Sequence, residues 1–317
     1  MEPKDVGFCR LCGKDIGNKE MPKHLKFHGF SSTQYYQKQY PRYDRLTGDI
    51  ILFKNRETYF THDFNTKANL KTWLSRQTRE TQIDYCKEIL LRRKIHKGLS
   101  LTPCQTELRT AMLPAVSYLD ELFDGRYYEV AAELGFKNRF IKPTGKITGK
   151  PLDGCEIIID TREQLPLSFS CKTKSQKLEF GDYGLSCMGD VNPSNACYIE
   201  RKGVGDFWGT MSQGYERFQR EILRAKNVEA YLVVLVEGSM QDVGEGIGGK
   251  YLLKTYSRVN ADFLFHRMRC RSQDCDMIQF LFVKNREEST RVIELLLGSE
   301  GAPRKYDLQL CYDLKLL

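Results

Sequence analysis

Apolar residues change their spacing twice along this chain. Between Leu70 and Lys97, the positions Leu70, Trp73, Leu74, Ile83, Ile89, Leu90 and Leu91 recur at three- and four-residue steps with Lys and Arg between them, which predicts helix. Residues 101–136 stay helical in character. Pro103 marks one helix start, a second helix opens near Pro114, an aromatic turn covers Phe123–Tyr128, and a last helix ends at Gly135. Residues 137–151 are basic and rich in Gly, Pro and Thr, the composition of a linker. After it, short β-branched runs alternate with amphipathic stretches. Strands are expected at Glu156–Asp160, Leu178–Phe180, Cys197–Ile199, Tyr231–Val236 and Met277–Val283, and helices at Tyr215–Lys226, Val259–Arg269 and Glu287–Leu297. That alternation predicts an α/β domain with a mixed sheet over residues 152–300, followed by a C-terminal tail, 301–317.

Composition narrows the class. With 41% hydrophobic and 28% charged residues, the chain can bury a core and is not broadly disordered. Its longest apolar runs, Tyr231–Val236 and Leu281–Val283, fall far short of the roughly 18 residues of a membrane span. Met1–Arg10 carries four charged residues and no apolar block, so no secretory signal is expected. The expected location is the cytoplasm or nucleoid in a bacterial or phage setting, and the nucleus in a eukaryote. The formal charge of +8 is unevenly placed: 27 Lys+Arg against 17 Asp+Glu precede residue 151, and 22 against 24 follow it. A basic half joined to a neutral half suits a polyanion-binding module attached to something else. From charge alone, a solvated basic face reads equally well. The eleven cysteines are expected to be thiols or metal ligands rather than disulfides.

Cys9, Cys12, His24 and His28 form C-x2-C-x11-H-x3-H. Two cysteines two apart fit a knuckle, helped by Gly13, and two histidines at i and i+4 share one helical face, so all four reach one tetrahedral zinc. Residues 1–47 are thus a small zinc finger whose metal supplies most of its folding free energy. Lys14, Lys19, Lys23, Lys26 and Lys38 surround it, interleaved with Tyr35, Tyr36, Tyr40 and Tyr43, a mixture suited to phosphate contact and stacking. The block resembles the single fingers of bacterial and phage DNA-binding proteins and of some homing endonucleases; a protein-binding finger is the alternative. Residues 48–136 form a mainly helical module, in which residues 101–136 are similar to a helical repeat that accompanies homing endonucleases. Its run LLRRKIHK (90–97) places Arg92, Arg93 and Lys94 among the candidate DNA contacts, or on a solvated helix face.

The second half carries the chemistry. Asp160, Asp182 and Glu200 lie at or just after expected strand ends, where they would repel one another unless a divalent cation sat between them. Oxygen ligands favour Mg²⁺ or Mn²⁺. Lys202, two residues beyond Glu200, shares its side of an extended strand. A cation that acidifies a water beside a lysine suits phosphodiester hydrolysis.

IIIDTRE, GDY and IERKGVGD, in that order, resemble the nuclease domain of the XPF family of structure-specific endonucleases, with its GD…ERK-x3-D signature. YERFQREIL (215–223) and YLVVLVEG (231–238) are similar to the helix and strand that follow in that family. The resemblance covers residues 156–297 and implies a restriction-endonuclease-like, mixed-sheet α/β nuclease fold. It also implies that Asp160, Asp182 and Glu200 bind the metal and that Lys202 is the catalytic lysine. Arg162, Glu163, Arg201 and Asp206 take supporting catalytic positions. Alternatively, the first three form ion pairs and Asp206 caps a helix. Cys270 and Cys275, near His266, read as buried thiols. Family members usually continue into tandem helix-hairpin-helix motifs, for which this chain leaves no room. The expected protein is a Mg²⁺- or Mn²⁺-dependent DNA endonuclease of homing or phage type, with N-terminal modules choosing the site. A homodimer through the nuclease domain is the expected assembly. A branched-DNA repair nuclease, or a zinc-finger protein with an inactive nuclease fold, are the alternatives.

Overall fold

The computed structural model describes residues 9–14, 16, 23–53, 56–149, 154–189, 196–245, 260–299 and 301–317. Lys19, the linker's last two residues and the first residue of the expected 259–269 helix lie outside them. The chain forms two compact units, one of Met1–Thr102 with Met112–Asn138, the other of Pro103–Ala111 with Arg139–Leu317. Among the described residues no helix is long and apolar enough to cross a membrane.

The first unit starts with the Cys9–Lys14 knuckle. Cys9 N donates to Lys14 O at 2.9 Å and Gly13 N to Cys9 O at 2.8 Å. Residues 23–27 are helical. Next come α1 (Thr33–Gln39), a two-stranded hairpin of β1 (Arg42–Tyr43) and β2 (Ile50–Ile51), and helices α2 (Arg56–Thr61), α3 (Lys67–Leu74) and α4 (Arg79–Lys97). Leu25, Tyr36, Ile51, Phe53, Tyr59 and Phe60 pack into one apolar cluster of this unit. The expected helix 70–97 is therefore two helices. Thr78 separates them by taking extended backbone and accepting the Thr81 N–H, an N-cap that starts α4 afresh.

The basic run at the end of α4 is turned inward. Arg92 donates to both Asp63 oxygens, at 3.1 and 3.3 Å, and pairs with Glu88 one turn back. Arg42 also pairs with Asp63. Arg93 and His96 are buried, whereas Ile95 is exposed. Lys94 donates to Leu134 O at 2.9 Å and lies over the Phe136 ring. Arg92 and Arg93 are thus neither a solvated face nor surface DNA contacts. A buried Asp63 needs a cationic partner in low dielectric, and Arg92 supplies it.

In the second unit, α5 (Gln105–Thr110) is followed, after the first unit's α6 (Val116–Leu122) and α7 (Tyr127–Glu133), by a six-stranded mixed sheet. Its strands are β3 (Ile157–Ile159), β4 (Thr173–Ser175), β5 (Tyr183–Leu185), β6 (Cys197–Gly203), β7 (Tyr231–Glu237) and β8 (Ile278–Val283), in the order β4-β3-β5-β6-β7-β8. β6, β7 and β8 run parallel, and β5 is antiparallel to both its neighbours. The strand expected at Leu178–Phe180 is displaced to β5. The Leu178 N–H is used by the Asp160 carboxylate at 2.6 Å, and Gly181 turns the backbone at φ +63° before pairing begins.

β7 is apolar from Tyr231 to Val236, ahead of its terminal Glu237, because both its faces are covered. Tyr231, Val233 and Leu235 meet α13 (Arg286–Gly298) on one side. Leu232, Val234 and Val236 meet α9 (Val204–Met211), α10 (Tyr215–Asn227) and α12 (Ala261–Asp274) on the other. Helices α8 (Ser186–Gly189) and α11 (Met240–Glu245) complete this stretch. Within the described part of the expected linker, Ile141 N donates to Lys305 O and Ile147 N to Leu316 O.

Residues 301–317, read as a tail, carry α14 (Ala302–Lys305) and α15 (Leu308–Asp313), with Leu308, Leu310 and Cys311 buried. They cover the edge strand β8. The Gln309 amide pairs with the Phe282 N–H at 2.8 Å and C=O at 3.3 Å, as a neighbouring strand would. Asp307 accepts from Gln105 N at 2.6 Å and Leu310 N at 3.1 Å. One cysteine pair departs from the expectation of free thiols, since Cys155 is bonded to Cys187. The antiparallel register that sets Ile157 opposite Leu185, extended by two residues, sets these cysteines opposite each other.

Gln309→Ala would leave the buried Phe282 N–H without an acceptor and should destabilise the second unit by about 1–3 kcal/mol. A urea melt followed by the near-ultraviolet signal reads this, and an unchanged midpoint would contradict the edge-capping role.

Candidate functional site

The site forms where β3, β5 and β6 meet. Asp160 N donates to Asp182 O, and Asp182 N donates to Ile199 O, both at 2.8 Å. This ladder needs Gly181: a Cβ there would stand 2.8 Å from the Ile199 carbonyl oxygen. Tyr183 then pairs with Ile199, and Asp182 lands beside Glu200. Asp182 Oδ2 accepts the Arg201 N–H at 2.7 Å. Ile199 points into the core, and Glu200 and Lys202 share a side of β6, with Lys202 Nζ 2.6 Å from Glu200 Oε1. Arg201 takes the other side, 3.2 Å from Glu163 and 3.0 Å from Glu237, with a further bond to Leu165 O.

Asp182, Glu200, Lys202, Glu163 and Asp206 line an open cleft of about 930 Å³. Burial, and after it the Glu200 charge, push the Asp182 carboxyl up to about 7, against the Arg201 N–H that favours its ionised form. The Glu221 carboxyl on α10 is raised for the same two reasons, burial first and Glu200 second. Burial disfavours the Arg201 cation too, but Glu237 and Glu163 hold its charge. Asp182 and Glu200 are therefore two acids facing one cleft, one of them reluctant to ionise unless a cation joins it.

The structure does not bring Asp160 to this cleft. Its carboxylate is buried and engaged by the Arg162 side chain at 2.6 and 3.1 Å and by the N–H groups of Arg162 and Leu178. Burial works against its charge, but the Arg162 guanidinium and these N–H groups together hold it below the usual range. Arg162 itself lines the cleft. Asp206 lies in the first turn of α9, whose cap residue is Gly203, so Asp206 does not cap that helix. Glu237, Glu221 and Arg217 were not singled out from the sequence. Glu237 ends a strand parallel to β6, and side chains there converge by the general rule for parallel sheets. Glu221 and Arg217 lie on α10, and only its packing against β7 brings them near.

In the first unit, ligand atoms of Cys9, Cys12, His24 and His28 all lie within 4.8 Å of one another. Cys12 Sγ is 3.3 Å from His24 Nε2, which is 2.9 Å from His28 Nε2. Lys14, Lys23 and Lys26 are exposed around them. Cys275 is buried, and Cys270 Sγ is 3.7 Å from His266 Nε2.

No curated protein sequence matches this chain. Among solved structures it is similar to XPF from Aeropyrum pernix, with 21% identity and a TM-score of 0.33 over 45% of this chain and 64% of that one. XPF from Aeropyrum pernix in complex with DNA gives 19% identity and a TM-score of 0.32 over 45% and 62%. The chain thus spans under two thirds of either structure. Residues 159–296, which hold the whole cleft-lining acid set, match the ERCC4 domain, and the six-stranded mixed sheet that carries them is a restriction-endonuclease-like α/β fold.

Proposed function

We propose that this protein is a divalent-metal-dependent DNA endonuclease that cuts phosphodiester bonds in the ERCC4-domain cleft, with the first unit selecting the DNA. The observation that carries this reading is the facing pair Asp182 and Glu200, with Lys202 in hydrogen-bond contact. The donor set fits a hard cation: two carboxylate oxygens in an open cleft, one carboxyl raised by burial and by the other. Mg²⁺ or Mn²⁺ held by Asp182 and Glu200 would neutralise charge on the scissile phosphate and lower the pKa of a water. Lys202 is placed to donate to a phosphate oxygen or to orient the attacking water. Arg201, tied to Glu163, Glu237 and the Leu165 carbonyl, fixes the β6 end and offers its own N–H to Asp182. Asp160 serves this arrangement indirectly by holding Arg162 at the cleft wall.

The four-residue cluster Cys9, Cys12, His24 and His28 suits a structural zinc, because two thiolates and two imidazoles within reach of one point are the donors zinc prefers. Exposed Lys14, Lys23 and Lys26 make this finger the proposed phosphate-contacting part of the first unit.

Glu200→Gln keeps the size and removes a ligand charge, so cleavage should fall more than about 100-fold while DNA binding persists. Lys202→Ala should cost cleavage similarly with less effect on metal affinity. The assay is purified protein on linear duplex and branched DNA, with Mg²⁺ or EDTA; wild-type rates in both variants would sink the site assignment, and the preferred substrate separates site-directed from branched-DNA cutting.

Cys12→Ala should abolish zinc binding and unfold residues up to about 45, leaving cutting of non-specific DNA intact. Zinc-free wild-type protein, by elemental analysis of freshly purified material, would remove the finger from this account.

A further inference from the structure

The cleft is one of two grooves that meet at the acid pair. A second groove, of about 490 Å³, shares Arg162, Asp182, Glu200 and Arg217 with the first and continues along α10 past Arg220 and Arg224. α10 buries Phe218, Ile222 and Ala225, and this sets Arg217, Arg220 and Arg224 on its exposed flank at three- and four-residue steps. Among the described residues none of the three forms an ion pair within 4.0 Å; Arg224 lies over the Phe180 ring at 5.8 Å, and its charge favours the ionised Glu221 without pairing to it. Surface arginines near carboxylates usually pair with them. Here Glu179 and Glu221 line the same groove without doing so.

Building on the nuclease reading, we propose that Arg217, Arg220 and Arg224 form a phosphate track for the DNA strand that continues past the scissile bond. The seven helical steps from Arg217 to Arg224 rise about 10 Å, which matches about three phosphate-to-phosphate steps of one strand at about 3.4 Å each along the duplex axis. Arg162 is balanced by Asp160, so with Asp182 and Glu200 neutralised by the cation, Arg217, Arg220 and Arg224 outnumber Glu179 and Glu221 and the groove wall attracts a polyanion. Guanidinium groups suit this role through paired contacts to phosphate oxygens. Because the acid pair sits at the junction and not at a closed end, the bound strand extends to both sides of it. The substrate class is therefore an internal phosphodiester in a polynucleotide rather than a terminal nucleotide.

The test uses the full chain and a fluorescein-labelled duplex oligonucleotide of arbitrary sequence. Binding is measured in Mg²⁺ across a salt series on the Lys202→Ala background, which keeps both metal-facing carboxylates but does not cut, and cleavage kinetics in Mg²⁺ on the otherwise wild-type chain. R220E/R224E should weaken binding at least about 10-fold and lower the log–log salt slope by about two, with KM raised more than kcat is lowered. R220Q/R224Q should give a smaller shift in the same direction, and circular dichroism should match the wild type for both. K226E, a charge reversal on the same helix outside both grooves, should behave as wild type. Unchanged affinity, slope and KM in R220E/R224E would overturn the track, as would an equal effect from K226E. Either result would leave the nuclease reading standing, since that reading is tested separately by the cutting rates of Glu200→Gln and Lys202→Ala.

Discussion

Two carboxylates held face to face in a half-buried cleft are the constraint around which the second unit is arranged. Burying Asp182 beside Glu200 is costly: burial first, and the Glu200 charge second, push the Asp182 carboxyl up to about 7. The fold imposes this through backbone alone: the Gly181 turn, the two 2.8 Å bonds running from Asp160 through Asp182 to Ile199, and the single antiparallel strand between two parallel sets. Side chains then secure it. Arg201 ties Glu163 and Glu237 to the β6 end, and Asp160 anchors Arg162 where it lines the cleft. A structure that keeps such repulsion in place and surrounds it with fixed cations is arranged for a charged ligand.

Support for that arrangement comes from the sheet. β6, β7 and β8 present apolar side chains on both faces to two separate helix layers, so the strand ends cannot shift without unpacking both. The C-terminal segment contributes by covering β8, where Gln309 replaces a missing strand and Gln279 bonds to Tyr231, Pro303 and Tyr306. In the first unit the described finger residues contribute Leu25 and Tyr36 to a buried apolar cluster, and a buried Asp63 is satisfied by arginines. So little apolar burial around the finger is consistent with a metal supplying part of its stability.

What was legible in the sequence had a short physical period. Glu200 and Lys202 are two apart on a strand, His24 and His28 one helical turn apart, and β7 is a continuous apolar run between two covered faces. What was not legible depends on partners distant in sequence. Nothing local marks Arg92 as buried, because the reason is Asp63, about thirty residues away. Asp160 reads like Asp182 in sequence, yet Arg162 and the Leu178 N–H take its oxygens. β4, Thr173–Ser175, is a polar, exposed edge strand with no apolar alternation to reveal it. The Cys155–Cys187 bond follows from β3–β5 register, which becomes visible only once β5 is placed after Gly181 rather than before it.

The central claim is that Asp182 and Glu200 together hold a divalent cation. Titrating Mn²⁺ into the zinc-loaded full chain and reading free Mn²⁺ by electron paramagnetic resonance tests it without reference to any DNA substrate. The account predicts a Mn²⁺ site that competes with Mg²⁺ and is lost in Asp182→Asn but kept in Asp160→Asn. Equal Mn²⁺ binding in the wild type and Asp182→Asn, or loss of the site only in Asp160→Asn, would contradict it.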